Sequence, residues 1–237
     1  IKKNYPDLLV ILGGAHATAT PFHPMENYDC FDLLVFGEGE TTSLQILNEF
    51  KRHEYNSEAF LNDNESLEKI DGLVYRSNGK IVKTNNRETI KNLDELPLPA
   101  RDLIPQEKYI PLPNQYRKLP LAHMMVIRGC PFTCSFCDEA NTTVRASSPK
   151  HVVEEISEMS RLYGIKEISF WDDTMTYHRK WMMEFCQRMA EAKLDIVWSC
   201  FAAANTVDPE ILDLMKKAGC WNIFYGYETA NDNLAKN

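Results

Sequence analysis

Three cysteines fall within eight residues of one another, and no other feature of the 237-residue chain restricts its fold so tightly. Residues 128–137 read RGCPFTCSFC and set Cys130, Cys134 and Cys137 in a C-x-x-x-C-x-x-C spacing. Thiolates this close in sequence must converge on one object. A disulfide uses two sulfurs and a structural zinc site closes with four ligands, so three point to a metal centre with one position left open. An iron-sulfur cluster suits the set best, since a four-iron cube on three thiolates keeps one iron free to bind something else. Gly129 lets the backbone come close, Pro131 stiffens the turn and Phe136 puts an aromatic ring beside the last cysteine. No fourth ligand stands at zinc-finger spacing: His123 lies upstream and Asp138 adjoins Cys137. The competing reading is three cysteines that merely fill a core or form an incomplete zinc knuckle.

Composition narrows the partners. With 44% hydrophobic and 25% charged residues the chain has the makings of one large globular domain or two small ones. A formal net charge of -8 argues against a general nucleic-acid surface, which needs a basic stripe, and favours small-molecule or protein partners. No apolar run approaches the roughly 20 residues that span a bilayer, and no signal peptide opens the chain, so a cytoplasmic location is expected. Seven cysteines in such a setting speak for metal or catalysis rather than disulfides. Cys30, Cys186, Cys200 and Cys220 have no mutual spacing and read as small buried hydrophobes. The chain begins at Ile1, in what reads as the end of a helix, and is expected to be a fragment.

Two patterns follow each other along the chain. Residues 7–12, DLLVIL, read as a strand buried on both faces of a parallel sheet and stopped by Gly13 and Gly14. Residues 31–36 supply a second buried strand ending in Gly37-Glu38-Gly39-Glu40, and residues 41–52 carry Leu44, Leu47 and Phe50 at helical spacing. Residues 54–68 give little signal, and residues 71–76 and 80–84 flank a Ser77-Asn78-Gly79 turn as a β-hairpin. A proline-bearing stretch with Pro97, Pro99 and Pro105 reads as a linker. Beyond it, strands at 121–127, 166–170, 195–200 and 221–225 alternate with helices. Ser148-Pro149 and Asp208-Pro209 open the first and third of these helices, the first with Val152, Val153, Ile156, Met159 and Leu162 as its apolar face, and Gly219 stops the third. Such alternation makes a parallel sheet whose chemistry sits on the loops after the strands.

The RGCPFTCSFC loop resembles the cluster loop of the radical S-adenosylmethionine (radical SAM) enzymes, and the whole chain resembles the cobalamin-binding branch of that superfamily. The resemblance implies an α/β fold: a partial Rossmann-like (flavodoxin-like) cobalamin-binding domain over residues 1–93 with a β-hairpin extension, a linker over 94–120, and part of a radical SAM (β/α) TIM-like barrel over 121–237. It implies a [4Fe-4S] cluster on Cys130, Cys134 and Cys137, with the open iron chelating S-adenosylmethionine (SAM). One-electron reduction then cleaves SAM to a 5'-deoxyadenosyl radical. Phe136 beside the last ligand, Asp172 and Asp173 in an Asp-Asp-Thr turn, and Glu228 in Gly226-Tyr227-Glu228 match positions that line the SAM site, and a carboxylate near the SAM ammonium has the right charge. Gly13 and Gly14 match the pair that lies against the nucleotide tail of cobalamin, and Glu38 and Glu40 match the family's GEGE turn.

Two departures stand out. The Asp-x-His-x-x-Gly segment that supplies an axial histidine in some cobalamin proteins does not occur, and Ala203 stands where relatives usually carry arginine. The leading function is a radical SAM enzyme carrying out cobalamin-dependent methyl transfer or related radical chemistry on a small organic substrate. Its partners would be that substrate and an electron donor such as flavodoxin or ferredoxin. The alternative is a non-catalytic iron-sulfur or cobalamin-binding module. The sequence does not choose a substrate.

Overall fold

The computed structural model describes residues 1–231, in two compact units that divide after Ile90. In the first, β1 (Ile11–Leu12) leads into two short helices, α1 (Ala15–Ala19) and α2 (His23–Asn27), and then β2 (Leu33–Val35). The long α3 (Gly39–Arg52) follows, then α4 (Ser57–Asn62), α5 (Asn64–Glu68), β3 (Leu73–Ser77) and β4 (Lys80–Lys83). The sheet order is β1-β2-β3-β4, with β1 parallel to β2 and the other two pairings antiparallel. Both residues of the β3–β4 turn, Asn78 and Gly79, have positive φ, 50° and 73°, the conformation a two-residue hairpin requires.

The middle of this sheet is the core. Leu33 and Val35 of β2 join Ile46, Phe60, Leu67, Leu73 and Tyr75 on one face, and Leu34 joins Ala17, Met25 and Val74 on the other. Three expectations need correction. Residues 7–12 are not a strand buried on both faces: only Ile11–Leu12 pairs, and Ile11 is 40% exposed, because β1 lies at the outer edge of the sheet order. The inward face of α3 is set by Thr42 and Ile46, one turn apart, while Leu44 and Leu47 are exposed. Thr42 is drawn in by polar bonds, donating to the Asp71 carbonyl and accepting from Arg87. The stretch after α3 forms two helices whose only strong signals are their caps, Asn56 accepting from the Ala59 N–H and Asp63 from the Ser66 N–H.

The second unit is a mixed α/β fold built on a parallel sheet. Its elements are β5 (Leu121–Met124), β6 (Ile127–Arg128), β7 (Arg145–Ala146), α6 (Pro149–Tyr163), β8 (Glu167–Phe170), α7 (Arg179–Ala192), β9 (Val197–Ala202), α8 (Pro209–Lys217) and β10 (Cys220–Tyr225). The sheet order is β10-β9-β8-β5, all parallel, so each new strand adds beside its predecessor. Capping is as the residue types dictate. Ser148 accepts from the His151 N–H, Asp208 from the Ile211 N–H, and Gly219 closes α8 at a φ of 95° with the Ile196 carbonyl too near for any side chain.

The three helices cover one face of the sheet. Ala122, Met124, Ile168, Phe170, Trp198 and Cys200 meet Val152, Ile156, Met182, Phe185 and Ile211 in a single core. Phe170, Phe185 and Trp198 sit edge to face at ring separations of 5.3 to 5.8 Å, an arrangement that adds to their large area burial. Leu162, expected on the apolar face of α6, is exposed at its last turn. Residues 93–108 form short 3-10 turns along the outer edge of β5, where Arg101 donates to the His123 carbonyl at 3.0 Å and Gln106 to the Leu121 carbonyl at 3.1 Å. Carbonyls that would otherwise stand unpaired on an edge strand are thereby satisfied.

Candidate metal centre at the strand ends

The cysteine loop starts where β5 ends and is closed by a feature with no sequence signal, the two-residue antiparallel ladder of β6 with β7. Above that neck the loop is held by backbone and hydroxyl groups. The Thr142 N–H donates to the Cys130 carbonyl at 2.9 Å, the Cys130 N–H donates to Thr142 Oγ1 at 2.9 Å, and the same hydroxyl donates to the Glu139 carbonyl at 2.7 Å. Gly129 adopts a φ of 87°, and a Cβ there would stand 2.4 Å from the Thr143 carbonyl oxygen. Only glycine fits that crossing. Cys130 is buried at the base of the loop, whereas Cys134 and Cys137 are exposed, and all three are free thiols.

Among the described residues no three His, Cys, Asp or Glu side chains gather at single-ion distance. In a four-iron cube each thiolate binds a different iron, so three free thiols on one loop are the donor set such a cube takes. The donor set and the glycine crossing therefore fit a cluster.

Behind the loop stands Asp172, just past the end of β8. One carboxylate oxygen accepts the Val126 and Ile127 N–H groups at 2.6 and 2.5 Å, fixing the turn between β5 and β6. The side chain is 1% exposed, its second oxygen has no hydrogen-bond partner, and burial pushes its pKa up to about 7 against the two backbone donors. Asp172 thus braces the root of the cysteine loop from inside, while its neighbour Asp173 is exposed. Burial, then the carboxylates of Asp173 and Asp138, raises the Glu139 pKa, so acidic groups of both loops face one region. Phe132 and Tyr177 connect these loops at 6.1 Å, edge to face.

The other expected residues are placed as follows. Phe136 is 71% exposed on the loop tip. Glu228 follows β10, exposed, with a φ of 54° and its carboxylate folded over Gly226. The cysteines, Phe136, Asp172, Asp173 and Glu228 therefore all lie beyond the carboxyl ends of the parallel strands, where such sheets carry their ligand sites. Gly13 and Gly14 belong to the first unit, after β1; Gly14 has a φ of 97° with nothing within 4 Å of a would-be Cβ. Sequence reasoning missed Thr142, the β6–β7 neck and the bracing role of Asp172.

The chain is similar to known proteins. Residues 124–237 match the family model described as Radical SAM superfamily. The chain is 34% identical over 238 residues to an uncharacterized methyltransferase of Pyrococcus horikoshii, covering 99% of this chain and 48% of that protein. It is 30% identical over 234 residues to an anaerobic magnesium-protoporphyrin IX monomethyl ester cyclase of Rubrivivax gelatinosus, covering 97% and 40%. The chain thus spans half or less of the length of these curated relatives. Among solved structures, the cobalamin-dependent S-adenosylmethionine radical enzyme OxsB aligns with a TM-score of 0.72 at 19% identity over 96% of this chain and 32% of that one. The radical S-adenosylmethionine methyltransferase TsrM from Kitasatospora setae aligns with a TM-score of 0.73 at 17% identity, over 95% and 42%. At such identities the structural likeness speaks to the fold. The cysteine loop at the head of the parallel sheet thus lies within residues 124–237, the part of the chain that matches the radical SAM superfamily model.

Proposed function

We propose that Cys130, Cys134 and Cys137 hold a [4Fe-4S] cluster whose open iron binds SAM, and that the protein catalyses cobalamin-dependent methyl transfer or related radical chemistry on a small organic substrate. The observation that carries this reading is three free thiols on one braced loop at the carboxyl ends of parallel strands. When bound, the reduced cluster supplies the electron that cleaves SAM. The chain's own residues bind and orient. Gly129 and Thr142 shape the loop, Asp172 anchors its root, and the exposed carboxylates of Asp173 and Glu228 stand where a SAM ammonium or ribose would meet them. The exposed Phe136 ring offers a stacking face beside Cys137.

In this reading residues 1–93 are part of a cobalamin-binding domain and residues 121–237 part of a barrel, joined through the 94–120 linker. The turn at Gly13 and Gly14 would take the cobalamin tail, because the open space at Gly14 lets a ligand approach the backbone. Relatives named as methyltransferases and cyclases support the reaction class. A cytoplasmic setting and a flavodoxin- or ferredoxin-type donor would complete it; among the described residues no helix is long and apolar enough to cross a membrane. The test is 5'-deoxyadenosine release after anaerobic reconstitution with iron and sulfide and reduction in the presence of SAM. Release that stops in Cys134→Ala supports the reading; iron-loaded protein that never yields deoxyadenosine favours the binding-module alternative.

A further inference from the structure

The face of the second unit's sheet that carries no helix is built unlike the helix-packed one. In register across four strands stand His123 on β5, Ser169 on β8, Ser199 on β9 and Asn222 on β10. Side chains alternate along a strand, and Ala122, Ile168, Trp198 and Ile223 belong to the helix-packed core, so this polar row faces the other way. Two residues further along, Trp171, Phe201 and Phe224 form a second row, with ring separations of 5.6 Å for Trp171–Phe201 and 5.1 Å for the stacked Phe201–Phe224 pair. At the opposite end Glu167 closes the floor, its carboxylate accepting the Arg117 and Lys118 N–H groups and the Trp221 indole N–H.

Two details set the polar row apart from an ordinary core layer. Ser199 is fully buried and its Oγ has no hydrogen-bond partner, an arrangement that is unfavourable unless something fills the role. His123 is oriented by Trp171, whose Nε1–H donates to Nδ1 at 2.7 Å. An indole can only donate, so the neutral imidazole carries its hydrogen on Nε2. Burial and then the Arg101 guanidinium lower its pKa and keep it neutral. Neither row contains a charged side chain.

We propose that this face binds a flat, uncharged ring compound bearing a hydrogen-bond acceptor, its ring against Trp171, Phe201 and Phe224 and its acceptor toward the donors of His123 and Ser199. The aromatic row offers π-faces and edges to a ring, and hydroxyl and imidazole N–H groups without a countercharge suit a carbonyl or hydroxyl better than a carboxylate or phosphate. The inference rests on the radical SAM reading for the fate of the bound compound; binding itself does not need the cluster.

The probe is 2-acetylnaphthalene, titrated anaerobically into this chain and followed by quenching of tryptophan emission, with 2-naphthoate as the charged match. Saturable quenching is expected, with 2-naphthoate at least about tenfold weaker. Ser199→Val and His123→Phe should each weaken binding about tenfold, the loss of one buried hydrogen bond, while His123→Gln, which keeps a donor, retains most of it. Absence of saturable binding overturns the proposal, as does affinity indifferent to charge and to all three substitutions. So does loss of the probe site in a longer chain whose added polypeptide covers this face. Iron loading of the same samples separates the two readings. Protein that loads iron but ignores the probe contradicts this inference alone; protein that binds the probe but takes no iron contradicts the cluster alone.

Discussion

The chain gathers cysteines twice, and the two groups teach opposite lessons. Cys130, Cys134 and Cys137 share a loop at the strand ends, two of them open to solvent. Cys186, Cys200 and Cys220 come from α7, β9 and β10, far apart in sequence, yet they belong to one core: the Cys186 thiol donates to the Met182 sulfur at 3.7 Å and the Cys220 thiol to the Asn222 carbonyl at 3.5 Å. Burial pushes the Cys186 thiol up to about 12, and the Cys220 contact and then burial hold Cys200 well above its usual value. A thiol at about 12 is thiolate in roughly one molecule in ten thousand at pH 8, and the thiolate is the metal ligand. Closeness in space therefore does not by itself make a metal site.

The largest expected effect breaks the first group without touching the second. Replacing any one of Cys130, Cys134 or Cys137 by Ala should abolish iron binding after anaerobic reconstitution, measured as iron and acid-labile sulfide per chain, because two thiolates do not hold a cube. Cys186→Ala should keep its full iron and lose only about 1–2 kcal/mol in a denaturant titration, a small cavity in the core. Next in size is Gly129→Ala. Its methyl would enter the space of the Thr143 carbonyl at 2.4 Å, so iron loading should fall severalfold although every cysteine remains. Loading equal to the parent would mean that the loop does not need this crossing.

Asp172 sharpens the comparison through pH. Its folded pKa, about 7, lies above the unfolded carboxylate value, so the folded state binds the extra proton. Its contribution is fully present below about pH 4 and is lost as pH rises toward 7 and beyond, up to a few kcal/mol. The iron-free chain should be less stable at pH 8 than at pH 5 on this account, and Asp172→Asn should flatten that slope. An unchanged slope would place the titration elsewhere. The smallest effect is kinetic: in the iron-free native chain iodoacetamide should label Cys134 and Cys137 readily, while Cys186 and Cys200 react only after unfolding.

Where the sequence carried a local reason, it was readable. The helices of the second unit begin and stop at their capping residues, Ser148, Asp208 and Gly219, and the parallel strands follow their apolar runs. The loop cysteines were legible as one group because they stand within eight residues of one another. What was not legible depends on partners distant in sequence. The phase of α3 turns on Thr42 bonding to Asp71 and Arg87, against the louder signal of Leu44 and Leu47. The β6–β7 neck is too short to show a period, and the role of Asp172 as a brace requires Val126 and Ile127 to be beside it. The row of His123, Ser169, Ser199 and Asn222 exists only through strand register, and Cys186, Cys200 and Cys220 share one core only through packing.

The central claim is that the exposed thiol group, and not the buried one, holds a four-iron cluster with an open iron. Electron paramagnetic resonance of the reduced, reconstituted chain with and without SAM tests it most directly. The account predicts a [4Fe-4S] signal from about four irons per chain, altered by SAM, absent in Cys134→Ala and present in Cys186→Ala. A signal that survives Cys134→Ala, or one indifferent to SAM, would contradict it.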